Sequence, residues 1–419
     1  MSSRVAAGRL AAVLLAVAVA ACAAVPPPSG TPGTSGRAGP PSVAGATSDP
    51  VGTGLPASTA APAPGHELYG FLPYWEMGGA GITEHVASLP LTTLALFSVT
   101  HTAKGAINTR ARGYSLVTGD VGRGLIADAH RRGVRVELVY SSFGAARNRR
   151  LLGDAAVQAS IVASLVALVG DLGVDGVDVD IEALDPTLVP AYGAFLTALR
   201  GALRATSPAR TVSAATGAHV LGAAMAVAAS QAGVDRIFMM GYDYRTAASE
   251  PGASAPLDRS DGEPAGLRTS LDLYAALGVP ADRLLLGLPL YGVDWPVAGP
   301  VIGAPSTGRG EAWFPRAHVD LLADPAIDPE RDDVEQVDVY FSSSDGLVGP
   351  PSPSPGSSVP LDRAWRAVYV DTPRTLAPKL ALANERGLAG AGFWAIGYTR
   401  GLPGYAELMG TFARGEPLP

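Results

Sequence analysis

The strongest chemical signal in the chain is the segment Asp175-Gly176-Val177-Asp178-Val179-Asp180-Ile181-Glu182, whose last three acids alternate strictly with β-branched residues. In a β-strand the side-chain period is two, so Asp178, Asp180 and Glu182 project to one face and Val177, Val179 and Ile181 to the other. A solvent-facing edge strand would account for a single carboxylate here. Three in register, flanked by the residues of a buried strand, need shared protons or hydrogen bonds, because burying three independent charges is too costly. Such a row suits general acid catalysis. Crowding and burial raise a carboxyl's proton affinity, so Glu182, at the end of the run, would hold a proton near neutral pH as one of a coupled set. The competing chemistry is a divalent-metal site of the Mg²⁺ or Ca²⁺ kind. No His cluster accompanies the acids, and no metal or cofactor is expected.

The elements that must position this row are eight short, β-branched or apolar runs, at 66–75, 92–99, 134–143, 176–182, 210–217, 236–244, 283–292 and 389–398. Helical patterns separate most of them, notably at 124–132, 155–172, 191–205, 267–277 and 374–386. Eight strands with intervening helices predict an α/β fold, a closed (β/α)₈ TIM barrel, whose active sites form at the C-terminal ends of the strands. Glu182 sits at such an end. An open doubly wound sheet would announce itself by a Gly-rich phosphate turn after the first strand, and none follows Trp75. The gap from Val293 to Leu388 is too long for one loop; it predicts a small, partly irregular insertion subdomain at about 296–370, between strands seven and eight.

The 419 residues are 47% hydrophobic and 16% charged, enough for one large core at 66–419. A formal net charge of −7 without any long basic run argues against a nucleic-acid partner. Residues 1–22 carry Arg4 and Arg9, an apolar run from Leu10 to Val19, and small residues up to Cys22, the layout of a secretory signal. The run is too short to span a bilayer. Its end, Val19-Ala20-Ala21-Cys22, reads as a bacterial lipobox with Cys22, the only cysteine, as the lipidated residue; an ordinary cleaved signal is the plainer alternative. Residues 23–65 are rich in Pro, Gly, Ser, Thr and Ala without an aromatic residue, and read as a disordered spacer. A secreted, monomeric cell-envelope lipoprotein, held at the membrane through its lipid, is the expected form.

Taken together, the motifs resemble glycoside hydrolase family 18, the chitinase family. DGVDVDIE is similar to that family's DGxDxDxE signature, Met240-Gly241-Tyr242-Asp243 to its M-x-Y-D on strand six, and Trp394 to its tryptophan at the end of strand eight. Phe71-Leu72-Pro73-Tyr74-Trp75 and Pro289-Leu290-Tyr291-Gly292 also resemble family segments, and the likeness spans about Glu67 to Tyr398. It implies that Glu182 protonates the glycosidic oxygen and later activates water, that Asp180 holds the substrate's acetamido N–H, that Tyr242 donates to the acetamido oxygen, and that Asp178 shares a proton with Asp180. It implies sugar contacts for Asp243 and a sugar floor at Trp394. Met240, Tyr291 and Tyr74 join the substrate-binding candidates, with Trp75, Phe97, Tyr140 and Trp295 behind them because large aromatics serve cores as often. Substrate-assisted family members need no second catalytic carboxylate. The implied partner is an N-acetylated polysaccharide or oligosaccharide, of chitin or peptidoglycan type, cut at its β-1,4 bonds with retention. A glycan-binding lectin without turnover and a metal-dependent barrel hydrolase are the rivals. Strand three departs from the family at Tyr140-Ser141-Ser142-Phe143-Gly144, where many members have a serine followed by two glycines. His101 and His219, each alone near a strand end, are expected to be structural.

Overall fold

The computed structural model describes residues 65–343, the backbone of 346–347, and 364–419. The leader, Cys22, the spacer up to residue 64, and residues 344–345 and 348–363 of the expected insertion lie outside the described residues.

Seven parallel strands follow in chain order: β1 (Glu67–Pro73), β2 (Thr93–Thr100), β3 (Arg135–Phe143), β4 (Gly176–Glu182), β5 (Thr211–Gly217), β6 (Arg236–Met240) and β7 (Leu284–Pro289). After an excursion of six strands, β8 (Gly292–Val297) to β13 (Trp365–Val370), the chain returns as β14 (Gly390–Trp394). β14 pairs with both β7 and β1, which closes an eight-stranded barrel.

Alternation decides what faces where. Val177, Val179 and Ile181 of β4 join the apolar layer between barrel and helices, and Asp178 and Asp180 point inward. On β1, Leu68 and Leu72 pack outward while Tyr69 and Phe71 enter the barrel with Phe97, Val139, Phe238 and Leu285. Each such side chain contributes about 1.5–3 kcal/mol on burial. The barrel can hold the Phe238 ring because Gly287 and Gly392 are bare; a Cβ on either would lie 2.5 Å from a ring atom.

The helix Ala155–Leu172 has its bounds written in the sequence. Asp154 accepts from the backbone N–H groups of Ala156 and Val157, and Gly173 ends it at φ 70°. Its buried stripe, from Val157 through Ile161 and Leu165 to Val169, packs into the core around the barrel. The helices Ile82–Ser88, Arg112–Thr118, Ala145–Leu152, Val220–Gln231 and Pro403–Ala413 were not among the sequence expectations.

The excursion is more regular than its composition suggested. With β9 (Glu311–Trp313), β10 (Glu330–Asp332), β11 (Val337–Ser343) and β12 (Gly346–Leu347), its strands form an antiparallel sheet in the order β10-β11-β13-β8-β9, with β12 on β11. The sheet begins at Gly292, earlier than the expected 296, because β8 starts three residues after β7 ends. Trp295, Val339, Phe341 and Trp365 form its own small core. Buried Glu335 ties the subdomain to the loop after β6, accepting from Arg245 at 3.2 Å and from Ala253 N at 2.7 Å.

Candidate active site

The acidic row follows the depth of the barrel. Asp178 is fully buried, Asp180 is 5% exposed, and Glu182 reaches the open mouth. Burial, then the charges of Glu137 and Asp180, push the Asp178 carboxyl well above the usual range. Burial and Glu182 do the same for Asp180; withdrawal from water and Asp243 raise Glu182. Neither oxygen of Asp178 has a hydrogen-bond partner among the described residues, and Oδ1 of Asp180 has none either. A buried carboxyl without donors is neutral rather than ionised. No hydrogen bond joins Asp178 to Asp180 among the described residues.

The end of β4 is braced. Asn148 Nδ2 and, at 3.3 Å, Gly144 N donate to the Glu182 carbonyl, and Ser142 Oγ donates to Asn148 Oδ1 at 2.6 Å. Ala183 follows at φ 55°, a conformation that costs a non-glycine residue on the order of 1 kcal/mol and turns the chain away directly after the acid. Strand three's departure from the family pattern therefore supplies a bracket: Ser142 holds Asn148, Ser141 meets Ser98 at 2.8 Å, and Phe143 stays 45% exposed at the mouth.

Below the row lies a fourth acid that the sequence reading missed. Glu137 of β3 is 2% exposed, accepts from Tyr69 OH at 2.7 Å and from Thr211 Oγ1 at 2.6 Å, and is raised by burial. Its signal was available, since an acid between Val136 and Leu138 in a strand must face inward.

Two strands along the barrel from β4, the chain leaves β6 after Met240, and Asp243 takes φ 62° with its N–H on Ser254 Oγ at 3.1 Å. The strand is shorter than the expected run 236–244, and this turn is what lifts Asp243 to the mouth. Tyr291 OH donates to Asp243 and Ser254 Oγ to Tyr291 OH at 3.3 Å, so Ser254 belongs to the site although no motif marked it. Burial first, then Tyr291, Asp180, Asp243 and Glu182, raise Tyr242, which keeps its phenol protonated amid acids.

Aromatic rings close one wall. Trp394 lies edge-on to Phe97 at 4.8 Å and to Trp75 at 6.1 Å, and Trp75 Nε1 donates to Tyr398 OH at 3.0 Å. The result is an open cleft of about 720 Å³. Asp180, Glu182, Tyr242, Asp243, Met240, Tyr74 and Trp394 line it. Asp178 lies beneath, and Tyr291 acts on the cleft through Asp243. Phe97 and Trp75 line it too, whereas Tyr140 is a core residue bonded to His101 at 2.8 Å and Trp295 sits in the insertion core. His219 borders the cleft and caps the following helix by accepting from Gly222 N at 3.2 Å. Among the described residues no group of three or more His, Cys, Asp or Glu side chains could hold a metal ion.

A closed parallel barrel with protonatable carboxyls at its C-terminal mouth and an indole beside them defines a (β/α)₈ barrel of the glycosyl hydrolase class. The chain belongs to glycosyl hydrolases family 18, whose pattern matches residues 130–398. Chitinase C of Streptomyces lividans is 27% identical over 242 residues, 52% of this chain and 35% of that protein. The chain spans about a third of the length of the first curated relatives it matches. Solved structures share the fold, and two of them serve as examples. The Bacillus cereus spore cortex-lytic enzyme SleL has TM-score 0.63 at 19% identity, covering 82% of this chain and 73% of that one. A Cycas revoluta family 18 chitinase in complex with (GlcNAc)4 has TM-score 0.67 at 18% identity, covering 83% and 99%.

Proposed function

We propose that this protein hydrolyses β-1,4 bonds of N-acetylglucosamine-containing glycans by a retaining, substrate-assisted route. The observation that carries the reading is the convergence, in one cleft, of a protonatable Glu182, a second buried acid, a neutral tyrosine and an exposed-edge tryptophan. Glu182 gives its proton to the glycosidic oxygen as the C1–O bond breaks. The substrate's acetamido oxygen attacks C1, with Asp180 accepting the acetamido N–H and the Tyr242 hydroxyl donating to that oxygen. The Glu182 carboxylate then takes a proton from water, which opens the cyclic intermediate at C1 and restores the anomeric configuration. Holding nucleophile and electrophile in one complex is the main rate advantage. Asp178, neutral beneath, limits the charge that Asp180 must bear beside it. Asp243, Met240, Tyr74, Tyr291 and Trp394 orient the sugar. Activity without added metal is expected. Digestion of N-acetylglucosamine oligomers and their de-N-acetylated forms, with products identified by mass, tests this. Cutting of the acetylated set alone supports it, and equal cutting of both refutes it.

A lectin-type reading is disfavoured by the retained Glu182. The anchoring reading is carried by the Cys22 box: a Cys22→Ala protein is expected to leave the membrane fraction, and fractionation equal to wild type would end that assignment.

A further inference from the structure

We propose that the cleft is built for a carboxylate-bearing N-acetylated glycan, and that Arg147, with Arg112, recognises the carboxylate. This rests on the glycosidase reading for the kind of occupant and adds its charge.

Charge is distributed unevenly around the mouth. Glu182 ends β4 and Asp243 follows β6, whereas Arg147 and Arg112 line the same cleft from the segments after β3 and β2. The helix Ala145–Leu152 carries three arginines with different fates. Arg149 pairs with Asp185 at 3.7 Å and Arg150 with Asp154 at 3.5 Å. Arg147 turns to the cleft and donates through Nη1 to two neutral acceptors, Thr100 Oγ1 at 2.9 Å and His101 O at 3.1 Å. Those bonds fix its position without neutralising it, and no ion pair to a described carboxylate involves it.

His101 beneath adds no competing charge: burial first, then Arg147, lower its pKa to about 4, so the ring is neutral at physiological pH. Arg112 opens the helix Arg112–Thr118, after β2, and also has no ion pair among the described residues. Gly113 brings it in, because a Cβ there would lie 2.3 Å from the Ser98 carbonyl oxygen and 3.0 Å from the Tyr74 ring; only glycine lets the helix start lie against the end of β2.

A guanidinium pre-positioned by neutral acceptors and left without a counter-ion is a fork for a carboxylate. An uncharged oligomer would partly desolvate both arginines and return no opposite charge. An anionic one, placed with its carboxylate on the β2–β3 side of the mouth, returns that charge to the guanidinium groups, and the pairing fixes its register in the cleft. Two glycans supply this chemistry: one in which alternate sugars bear a lactyl ether, and one in which they are uronates.

The test uses the full chain and tetramers of each kind, their carboxyl-reduced forms, and the plain N-acetylglucosamine tetramer. Turnover is measured as kcat/KM, and binding as Kd by calorimetry on the Glu182→Gln protein. A carboxylate of at least one source is expected to be preferred about tenfold or more over its reduced form, with the preference weakened by salt. Arg147→Gln is expected to remove most of that preference, Arg112→Gln part of it, and Arg147→Lys to keep some; melting curves check folding. Equal kcat/KM and Kd for carboxylated and reduced forms would overturn the proposal, as would Arg147→Gln lowering both alike. Discriminating binding without any turnover would sink the hydrolase reading and leave the charge recognition standing.

Discussion

Removing one hydroxyl with Tyr291→Phe tests how the cleft sets both the position and the charge of Asp243. In the wild type Tyr291 OH donates to that carboxylate, and Ser254 Oγ supports the same turn from the Asp243 N–H at 3.1 Å. A hydrogen bond to a charged group is worth about 1.5–3 kcal/mol, and each 1.4 kcal/mol is tenfold. Ser254 remains in the variant and retains part of the alignment, so a loss of roughly 10- to 30-fold in kcat/KM is expected, mostly in KM because Asp243 holds ground and transition states alike. The pH profile should move as well. Burial raises Asp243, and the Tyr291 and Ser254 hydrogen bonds oppose that rise. Without the Tyr291 bond Asp243 carries less negative charge, its upward push on Glu182 weakens, and Glu182 loses its proton at lower pH. The alkaline limb of kcat/KM on a fluorogenic N-acetylated oligosaccharide should therefore shift toward acid. An unchanged kcat/KM with an unmoved limb, or a shift toward alkali, would refute the linkage between Tyr291, Asp243 and Glu182.

Other consequences can be checked alongside. Glu182→Gln should lower kcat by about 10²- to 10⁴-fold and abolish the alkaline limb while calorimetry still detects oligosaccharide binding; near wild-type turnover would reassign the acid. The unfolded chain ionises Asp178 above about pH 4 while the folded protein keeps its proton, so this residue makes stability fall as pH rises from the unfolded value toward the raised folded one. Urea denaturation of Asp178→Asn should show its stability relative to wild type improving with pH over that window, and parallel profiles would contradict it. Lys379 is fully buried against Asp371, whose remaining side-chain donor is Thr375 at 3.0 Å, so Lys379→Met should destabilise by about 3–5 kcal/mol; a loss below about 1 kcal/mol would show the pair is not insulated from water.

The barrel was legible because its strands are short, apolar and separated by patterned helices, and the row at 178–182 because a period of two is unambiguous when acids and β-branched residues alternate. Where the chain stops obeying a period, the reading failed. Asp243, Ala183 and Gly144 turn on positive φ, and the bracket of Ser142 and Asn148 joins β3 to β4 through the helix Ala145–Leu152, which was not expected. Ser254 reaches the site from a segment without a motif, held by the Arg245–Glu335 contact that no local pattern encodes. Tyr140 and Trp295 show the converse: an aromatic residue near a strand end carries no label saying which side of the sheet it will serve. Arg147 differs from Arg149 and Arg150 only by its place on the helix, two and three residues away, which periodicity could have separated had that helix been recognised.

Substrate assistance by Glu182, Asp180 and Tyr242 is tested most directly by following hydrolysis of an N-acetylglucosamine oligomer by proton NMR, fast enough to see the product before mutarotation. The β-anomer is expected first, with no product from the de-N-acetylated oligomer. Release of the α-anomer first, or cleavage of the de-N-acetylated oligomer at a comparable rate, would contradict it.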